Sequence, residues 1–376
     1  MDPSVSARWL PTVEEGYRHM LAAIAGARDS VRLETYIFKA GGPGDRFRDA
    51  LQAAAARGVR VRALVDGFGS NDLPRDYWDD LRAASGEAAF FNPISLRRLV
   101  IRDHRKLLVV DEQEAIVGGF NIAPEYEGDG VTRGWRDLGL VVSGSPARSL
   151  AATFDVMWAH REFHHPRGTR LRRSRLRRSL REYGSAEVMA SGPGLGRNAF
   201  RASLMRSLRE AHDVSLMAAY FLPGFRLRRL LARVARRGGR VRLLLAGQSD
   251  LAITQAAARS LYPALLRAGI AIAEFQPQIL HAKLALVDAA AFAGSSNLDA
   301  RSLGINYEIM VRIDDSAFAA EGRALFDADW ARSRPIVARE WKRSRTWAEH
   351  WSGVLARFLL TKVDLWLARR QLRSLT

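Results

Sequence analysis

A short pattern of histidine, lysine, aspartate and asparagine occurs twice in this 376-residue chain. HRKLLVVDEQEAIVGGFN begins at His104, and HAKLALVDAAAFAGSSN begins at His281. In each copy a lysine follows two residues after the histidine, so both side chains share one face of an extended strand. A neutral imidazole is a nucleophile or a base, a protonated one is an acid, and an ammonium group suits a phosphate oxygen. The two copies, brought together, would form a site that cleaves a phosphodiester.

The lysines within this pattern stand out because lysine is rare in the chain. Of 58 basic residues, only five are lysines. Two of these, Lys106 and Lys283, occupy the same place in the two copies. Arginine would supply the same charge, so the pattern favours a specific role for an ammonium group at these positions.

The two copies resemble the phospholipase D superfamily, whose signature is HxKxxxxD followed by a Gly-Ser-Asn-like segment. The segments LETYIF, RGVRVRALVDGFGS, GGFNIAPEY, WRDLGL and GSSNLDARSLGINYE extend the resemblance to bacterial cardiolipin synthases, in particular the short, peripherally bound type. This resemblance implies an α/β fold of two duplicated phospholipase D-like lobes. Each lobe would be a mixed β-sheet flanked by helices, and a pseudo-two-fold axis would place one active site at their interface.

The resemblance also implies a division of labour that needs no metal and no cofactor. His104 would be the nucleophile that forms a phosphohistidine, and His281 would act first as acid and then as base. The adjacent Lys106 and Lys283 would stabilise charge in the transition state. The signature aspartates, Asp111 and Asp288, are grouped with the catalytic residues, although support of the architecture is the role that we favour for them.

Five further residues complete the predicted site. Asn121, Asn297 and Ser295 would donate hydrogen bonds to phosphate oxygens. In relatives a carboxylate on a later strand orients each histidine, and the matching positions are Asp137 and Glu308.

The two copies differ in one detail of the Gly-Ser-Asn-like segment. The first copy has Gly118-Gly119 where Gly-Ser is common, so a hydroxyl donor is missing there.

Internal similarity extends beyond the two histidine motifs and predicts the domain organisation. RGVRVRALVDG at 57–67 matches RGGRVRLLLAG at 237–247, with nearly the same separation as the two motifs. Helix-like and strand-like segments alternate through both halves, as in an α/β fold. We therefore predict four parts, namely a first lobe at 1–163, an Arg-rich interlobe linker at 164–184, a second lobe at 185–338 and a basic amphipathic tail at 339–376.

Composition restricts the partners and the location of the protein. The net charge of +18 and the pI of about 11 favour polyanions, either an anionic phospholipid membrane or nucleic acid. The absence of cysteine excludes disulfides and thiolate metal sites. No stretch has the length of a membrane span or of a signal-peptide core. The expected location is the cytoplasm, with peripheral attachment to the inner face of the cell membrane.

The tail has two interpretations. Trp347, Trp351 and Trp366 fall near helical spacing among many arginines, which is typical of a helix lying in a membrane interface. The alternative is a helix that packs on the second lobe with its basic face in water.

Taken with the resemblance, these observations predict a phosphatidyltransferase that makes cardiolipin from phosphatidylglycerol and a second phospholipid. The alternatives are a phosphodiesterase that hydrolyses phospholipid or nucleic acid, and a scaffold protein with an inactive site. Basic runs with interleaved aromatic residues, expected of a nuclease groove, are not evident, and the intact histidine, lysine and asparagine in both copies argue against a scaffold. The sequence leaves open the donor lipid, the acyl-chain preference and the oligomeric state.

Overall fold

The protein folds into two lobes, each built on one mixed β-sheet, of seven and eight strands in the described part of the chain. The computed structural model describes residues 6–93, 101–162, 185–193, 195, 197–344, 346–363 and 366. The predicted interlobe linker at 164–184 lies outside the described residues, as does the end of the predicted tail after residue 366.

The sheet of the first lobe has the strand order β4-β3-β2-β5-β6-β7-β1. Its strands are β1 (Ala7–Leu10), β2 (Ser30–Thr35), β3 (Arg60–Asp66), β4 (Glu87–Phe91), β5 (Leu107–Val110), β6 (Glu114–Gly118) and β7 (Gly139–Ser143). Its helices are α1 (Val13–Gly26), α2 (Pro43–Ala56), α3 (Asp79–Ala83) and α4 (Ser145–Ala159). Strands β2, β3 and β4 run parallel, and the remaining neighbours pair antiparallel.

The sheet of the second lobe repeats this order as β11-β10-β9-β12-β13-β14-β8, with β15 added at the β11 edge. Its strands are β8 (Ala186–Ser191), β9 (Asp213–Ala218), β10 (Arg240–Ala246), β11 (Ala271–Phe275), β12 (Lys283–Val287), β13 (Ala290–Gly294), β14 (Glu308–Asp314) and β15 (Ser333–Pro335). Its helices are α5 (Ala199–Ser207), α6 (Phe225–Arg236), α7 (Ala252–Arg259), α8 (Tyr262–Arg267) and α9 (Ser316–Ala331). The predicted duplication and fold class are thus confirmed.

The central strands are buried on both faces because both faces of each sheet are covered. All six residues of β2 and all five of β12 are buried. One hydrophobic core lies on the outer side of each lobe, and a third joins the lobes. This shared core combines Leu107, Leu140 and Phe154 of the first lobe with Leu284, Ile309 and Phe326 of the second. The interface between the lobes is therefore a continuous apolar core, which fixes their relative position.

The signature aspartates make structural contacts and do not line the cleft that contains the two histidines. Asp111 and Asp288 lie in the turns after β5 and β12, in left-handed backbone with φ of 52° and 50°. The Asp111 carboxylate accepts hydrogen bonds from the backbone N–H groups of residues 28, 29 and 30 at 2.8–3.0 Å, and Asp288 accepts from those of 212 and 213. Each aspartate thus links a β-hairpin to the neighbouring strand. The length of β5 separates Asp111 from His104, and the length of β12 separates Asp288 from His281.

Arg136 joins the two lobes through both its side chain and its backbone. The guanidinium donates to Asp329 on α9 at 2.8 Å and to the carbonyl of Asp137 at 2.7 Å. The backbone N–H of Arg136 donates to Ile279, and its carbonyl accepts from His281. Arg136 and Asp329 are 4% and 2% exposed, so each charge depends on the other for compensation.

The C-terminal residues form two short helices, α10 (Ala338–Ser344) and α11 (Trp347–Phe358), followed by a wider helical turn (Leu359–Val363). A Cβ at Gly353 of α11 would meet the carbonyl oxygen of Ala256 on α7 at 2.8 Å, so the two helices are in close contact. The predicted packing on the second lobe is therefore present, yet Trp347 is 78% exposed and Leu355 is 58% exposed. Within the described residues, no helix is both long and apolar enough to cross a bilayer.

The interlobe ion pair gives a test of stability. We expect Arg136→Met to lower the free energy of unfolding in urea by about 3 kcal/mol, because it leaves the buried Asp329 carboxylate unpaired. Arg332 is the matched control, since it lies 3.9 Å from the same carboxylate but its side chain is 50% exposed. Arg332→Met should lower the free energy of unfolding by less than about 1 kcal/mol. Equal losses for the two variants would contradict this role of Arg136.

Candidate active site

The two histidine motifs meet in one cleft between the lobes, with a volume of about 560 Å³. The cleft is lined by the predicted residues His104, His281, Asn121 and Asn297. The remaining wall is mainly aromatic and aliphatic, and includes Tyr36, Phe68, Trp135, Leu222, Leu251, Ile253 and Leu360. A cleft with a few polar groups in an apolar wall is typical of a site for an amphiphilic ligand.

Backbone hydrogen bonds from the opposite lobe hold each histidine in place. The N–H of His104 donates to the carbonyl of Tyr307 at 3.0 Å, and the N–H of His281 donates to the carbonyl of Arg136 at 2.7 Å. Residues 103 and 307 form one isolated β-bridge, and residues 136 and 280 form another. Each motif therefore enters the cleft alongside the end of a strand from the other half of the chain.

The two predicted orienting carboxylates are crossed between the lobes. Nδ1 of His104 lies 3.0 Å from Oε1 of Glu308, and Nδ1 of His281 lies 2.7 Å from Oδ2 of Asp137. All four side chains are buried. When Nδ1–H donates to the carboxyl oxygen, the lone pair is on Nε2, the atom that would face a phosphorus centre.

Both histidines are held in the neutral form in this site. Burial, with the charges of Lys106 and Lys283, brings the pKa of His104 well below its ordinary value of 6.5. Burial and Lys283 bring the pKa of His281 to about 4, although Asp137 opposes the shift. Burial therefore disfavours the protonated form of both imidazole rings. A proton on one histidine requires the negative charge of a bound phosphate.

The carboxylates distinguish the two histidines. Burial tends to raise the pKa of Asp137, but Lys283 and His281 together outweigh it, so the pKa is lowered and the group is ionised. Burial raises the pKa of Glu308 to about 8, against the opposing charge of Lys106. An ionised Asp137 stabilises an imidazolium better than a largely neutral Glu308 does. A proton shared between the two rings is therefore better stabilised on His281 than on His104.

The two lysines lie beneath the histidines, outside the wall of the cleft. Nζ of Lys106 donates to the carbonyl of His104 at 2.7 Å, and Nζ of Lys283 donates to the carbonyl of His281. Lys283 also lies 2.8 Å from Nδ1 of His281, but that nitrogen donates its proton to Asp137 and cannot accept. Burial lowers the pKa of Lys106 to about 7 and that of Lys283 to about 8. Because the two lysines do not line the cleft, they act on it through their charge.

The predicted phosphate donors differ in what they contact. Nδ2 of Asn121 donates to the hydroxyl of Tyr126 at 2.7 Å, and Oδ1 accepts from the N–H of Ile37. Asn297 also lines the cleft, and its Oδ1 is buried without a hydrogen-bond partner among the described residues. Ser295 does not contact the cleft, because its hydroxyl donates to Glu308 and accepts from the N–H of Ile309. In this structure the hydroxyl of Ser295 holds the carboxyl group of Glu308.

The position of the Asp137 carboxylate explains why the first motif has glycine where the second has serine. Gly119 is the counterpart of Ser295, and a Cβ at Gly119 would lie 2.4 Å from Oδ1 of Asp137. The carboxylate of Asp137 occupies that space. The missing hydroxyl in the first copy is thus a steric requirement of the crossed pair.

Three aromatic residues that the sequence did not single out surround the histidine rings. Tyr36 lies 5.1 Å from His104, and Trp135 lies 5.6 Å from His281, between ring centroids. The hydroxyl of Tyr126 lies 3.3 Å from Nε2 of His281, with burial raising its pKa well above 10, so the phenol keeps its proton. GGFNIAPEY contains Tyr126, but nothing in that segment indicates a contact with a motif 155 residues away.

Two arginines add positive charge to the cleft. Arg102 is 3% exposed and lies 3.6 Å from Asp66, and Arg301 lines the same wall. A guanidinium can bind two phosphate oxygens at once.

The described residues contain no group of three or more histidine, aspartate or glutamate side chains that could hold a metal ion.

Comparison with known proteins agrees with this geometry. A family model described as the phospholipase D-like domain of cardiolipin synthase matches residues 20–158 and 204–330. The structure is similar to phosphatidylserine synthase from Haemophilus influenzae, with a TM-score of 0.71 and 14% sequence identity, over 96% of this chain and 94% of that one. This likeness supports the fold.

Curated relatives give the family. Cardiolipin synthase from Alkalihalophilus pseudofirmus is 34% identical over 79% of this chain, which spans 60% of that protein's length. Cardiolipin synthase A from Shigella flexneri is 31% identical over 85% of this chain and 68% of its own length. The predicted membership of the phospholipase D superfamily is confirmed. The chain belongs to the cardiolipin synthase family of phospholipase D-like proteins.

Proposed function

We propose that this protein is a phosphatidyltransferase that makes cardiolipin from phosphatidylglycerol and a second phospholipid. The observation that carries the proposal is the meeting of His104 and His281 in one cleft, each ring held by a carboxylate of the opposite lobe. Relatives at 34% and 31% identity named as cardiolipin synthases support the choice of reaction. No observation favours hydrolysis of nucleic acid.

In the first step Nε2 of His104 attacks the phosphorus of the donor lipid. The P–O bond to the headgroup breaks, and His281 gives its proton to the leaving oxygen of glycerol or ethanolamine. The bound phosphate supplies the negative charge that raises the pKa of His281, and Asp137 stabilises the imidazolium. Lys106 and Lys283 stabilise the charge that develops on the phosphorus oxygens.

In the second step a hydroxyl group of phosphatidylglycerol attacks the phosphohistidine. His281, now neutral, accepts the hydroxyl proton, the P–N bond breaks, and His104 is regenerated. Water in place of the lipid hydroxyl would give phosphatidic acid. The aromatic and aliphatic wall of the cleft favours the lipid alcohol because it can bind the apolar part of the acceptor.

Peripheral attachment to the inner face of an anionic membrane is part of the proposal. Trp347, Trp351 and Phe358 project from α11 with exposed fractions of 78%, 52% and 54%. Leu251 and Ile253, at the rim of the cleft, are 48% and 43% exposed. Aromatic and aliphatic side chains of this kind partition into the headgroup region of a bilayer, and the net charge of +18 favours anionic lipids.

Removal of either histidine tests the mechanism. We expect His104→Ala and His281→Ala each to lower cardiolipin formation from phosphatidylglycerol by about a thousandfold or more, because nucleophile and acid act together. Products are identified by mass spectrometry. His212→Ala, which changes an exposed histidine of the second lobe, is the control and should keep full activity.

The same variants identify the nucleophile. With donor lipid alone, a phosphatidyl adduct should accumulate on residue 104 in His281→Ala and should be absent from His104→Ala. An adduct on residue 281 would reverse the assignment, and substantial turnover by either variant would refute the two-histidine mechanism. Phosphatidic acid without cardiolipin from the unaltered protein would identify a hydrolase.

The pKa shifts predict an unusual dependence on pH. Deprotonation of Lys106 and Lys283, with pKa values of about 7 and 8, makes the cleft less positive as pH rises. Ionisation of Glu308 at about 8 acts in the same direction. We expect kcat/KM for the donor to fall above about pH 7. On the acid side it should persist below 6.5, since His104 has a pKa well below that value.

The profile is measured from pH 4.5 to 9, with vesicle binding recorded at each pH as the control. An acid limb centred near 6.5, the value of an unperturbed histidine, would contradict the predicted environment of His104.

The tail aromatics test membrane attachment. Trp347→Ser and Phe358→Ser should each weaken binding to phosphatidylglycerol vesicles about tenfold, because each removes an aromatic side chain from the bilayer interface. Val337→Ser is the control, as Val337 is 47% exposed but lies outside α11. Unchanged sedimentation of both variants with vesicles would rule out α11 as the attachment surface.

A further inference from the structure

A second cavity, of about 540 Å³, lies directly beside the catalytic cleft. The two share Leu222, Asp299 and Ala300 as a common wall. The other sides are formed by the beginning of α6, the loop from Asp299 to Ile305 and the turn that follows α11. Nothing in the two-histidine mechanism uses this cavity.

Its polar lining is strongly cationic. Arg201, Arg228, Arg357 and Lys362 contribute four positive charges, against one carboxyl group, that of Asp299. Burial raises the pKa of Asp299 to about 6, so its carboxyl group is still mostly ionised at neutral pH and offsets one of the four positive charges. Within the described part of the chain, none of the four cations forms a salt bridge. The cavity therefore holds uncompensated positive charge.

Arg228 and Arg357 are the two partly buried members of this group. Nε of Arg228 is buried without a hydrogen-bond partner in the described structure. Burial, together with the nearby charge of Arg357, lowers the pKa of Arg228. These two guanidinium groups repel each other, and their partial burial reduces screening by water. An anion bound between them would stabilise both charges.

The remaining lining of the cavity is apolar. Leu227, Leu261, Leu303 and Ile305 form its buried side, and Phe225, at the edge, is 68% exposed. A cavity with guanidinium groups on one side and leucine side chains on the other matches a phosphate group attached to a lipid. A free phosphate ion would make no use of the apolar side.

We infer that this cavity binds the phosphodiester of the acceptor lipid, so that its headgroup hydroxyl reaches the catalytic cleft across the shared wall. The inference rests on the proposed function, since the acceptor of that reaction is phosphatidylglycerol, a lipid with one phosphodiester and a free hydroxyl on the same headgroup. It also gives the tail a second role. Arg357 and Lys362 come from α11 and the turn after it, so the tail completes the acceptor subsite.

Product partition tests the subsite directly. Phosphatidylglycerol is supplied in micelles of a nonionic detergent, which removes any need for binding to an anionic surface. In Arg228→Gln and Arg357→Gln, the phosphohistidine forms but the acceptor binds poorly, so water captures more of the intermediate. The ratio of phosphatidic acid to cardiolipin should rise about tenfold, the effect of losing one charge-assisted hydrogen bond. The initial burst of released glycerol should stay close to that of the unaltered protein.

Arg229→Gln is the matched control, because it removes the same charge from the adjacent, exposed position of α6. Its product ratio should equal that of the unaltered protein. An unchanged ratio in both Arg228→Gln and Arg357→Gln would overturn the subsite while leaving the proposed function intact. If the unaltered protein makes no cardiolipin, the proposed function fails and the subsite fails with it.

Binding to an inactive protein separates the lipid from a free anion. His104→Ala should bind soluble dihexanoyl phosphatidylglycerol at two sites, and the further change Arg228→Gln should remove one of them, as measured by calorimetry. The same proteins are titrated with inorganic phosphate. If Arg228→Gln lowers the affinity for inorganic phosphate but leaves both lipid sites intact, the cavity is a free-phosphate site and the inference is wrong.

Discussion

The candidate site depends on the crossed pairing of histidine and carboxylate across the lobe interface. Glu308 holds His104 and Asp137 holds His281, so neither lobe contains a complete half-site of its own. The apolar core that joins the lobes, and the buried contacts of Arg136, fix the interface that makes this pairing possible. Catalytic geometry and global stability are therefore coupled, and any loosening of the interface would separate both histidines from their partners.

Burial gives the site its electrostatic character. The histidines and lysines all have lowered pKa values, because a desolvated group resists positive charge. Burial thus favours neutral imidazoles, and the negative charge of a phosphate would favour protonation of one of them. The substrate in this way generates the acid that its own cleavage requires. The difference between Asp137 and Glu308 then decides which ring receives the proton.

The surroundings of the histidines are graded from polar to apolar. Buried ionisable groups form the floor of the cleft, aromatic rings form its walls, and exposed leucine, isoleucine and tryptophan side chains lie toward its rim and along α11. A phospholipid has the same order of polarity from phosphate to acyl chain. The cationic cavity beside the cleft fits this arrangement, because it combines guanidinium groups with apolar side chains.

The sequence by itself determined the duplication, the fold class and the two motifs, because strand periodicity and repeated residue types are local properties. The family resemblance of the motifs added Asp137 and Glu308, although not which histidine each one contacts. The tertiary structure decided the crossed pairing, the architectural role of Asp111 and the place of Tyr126 in the cleft. These contacts join residues far apart in the chain, and no local pattern encodes which strand ends meet when two lobes pack face to face.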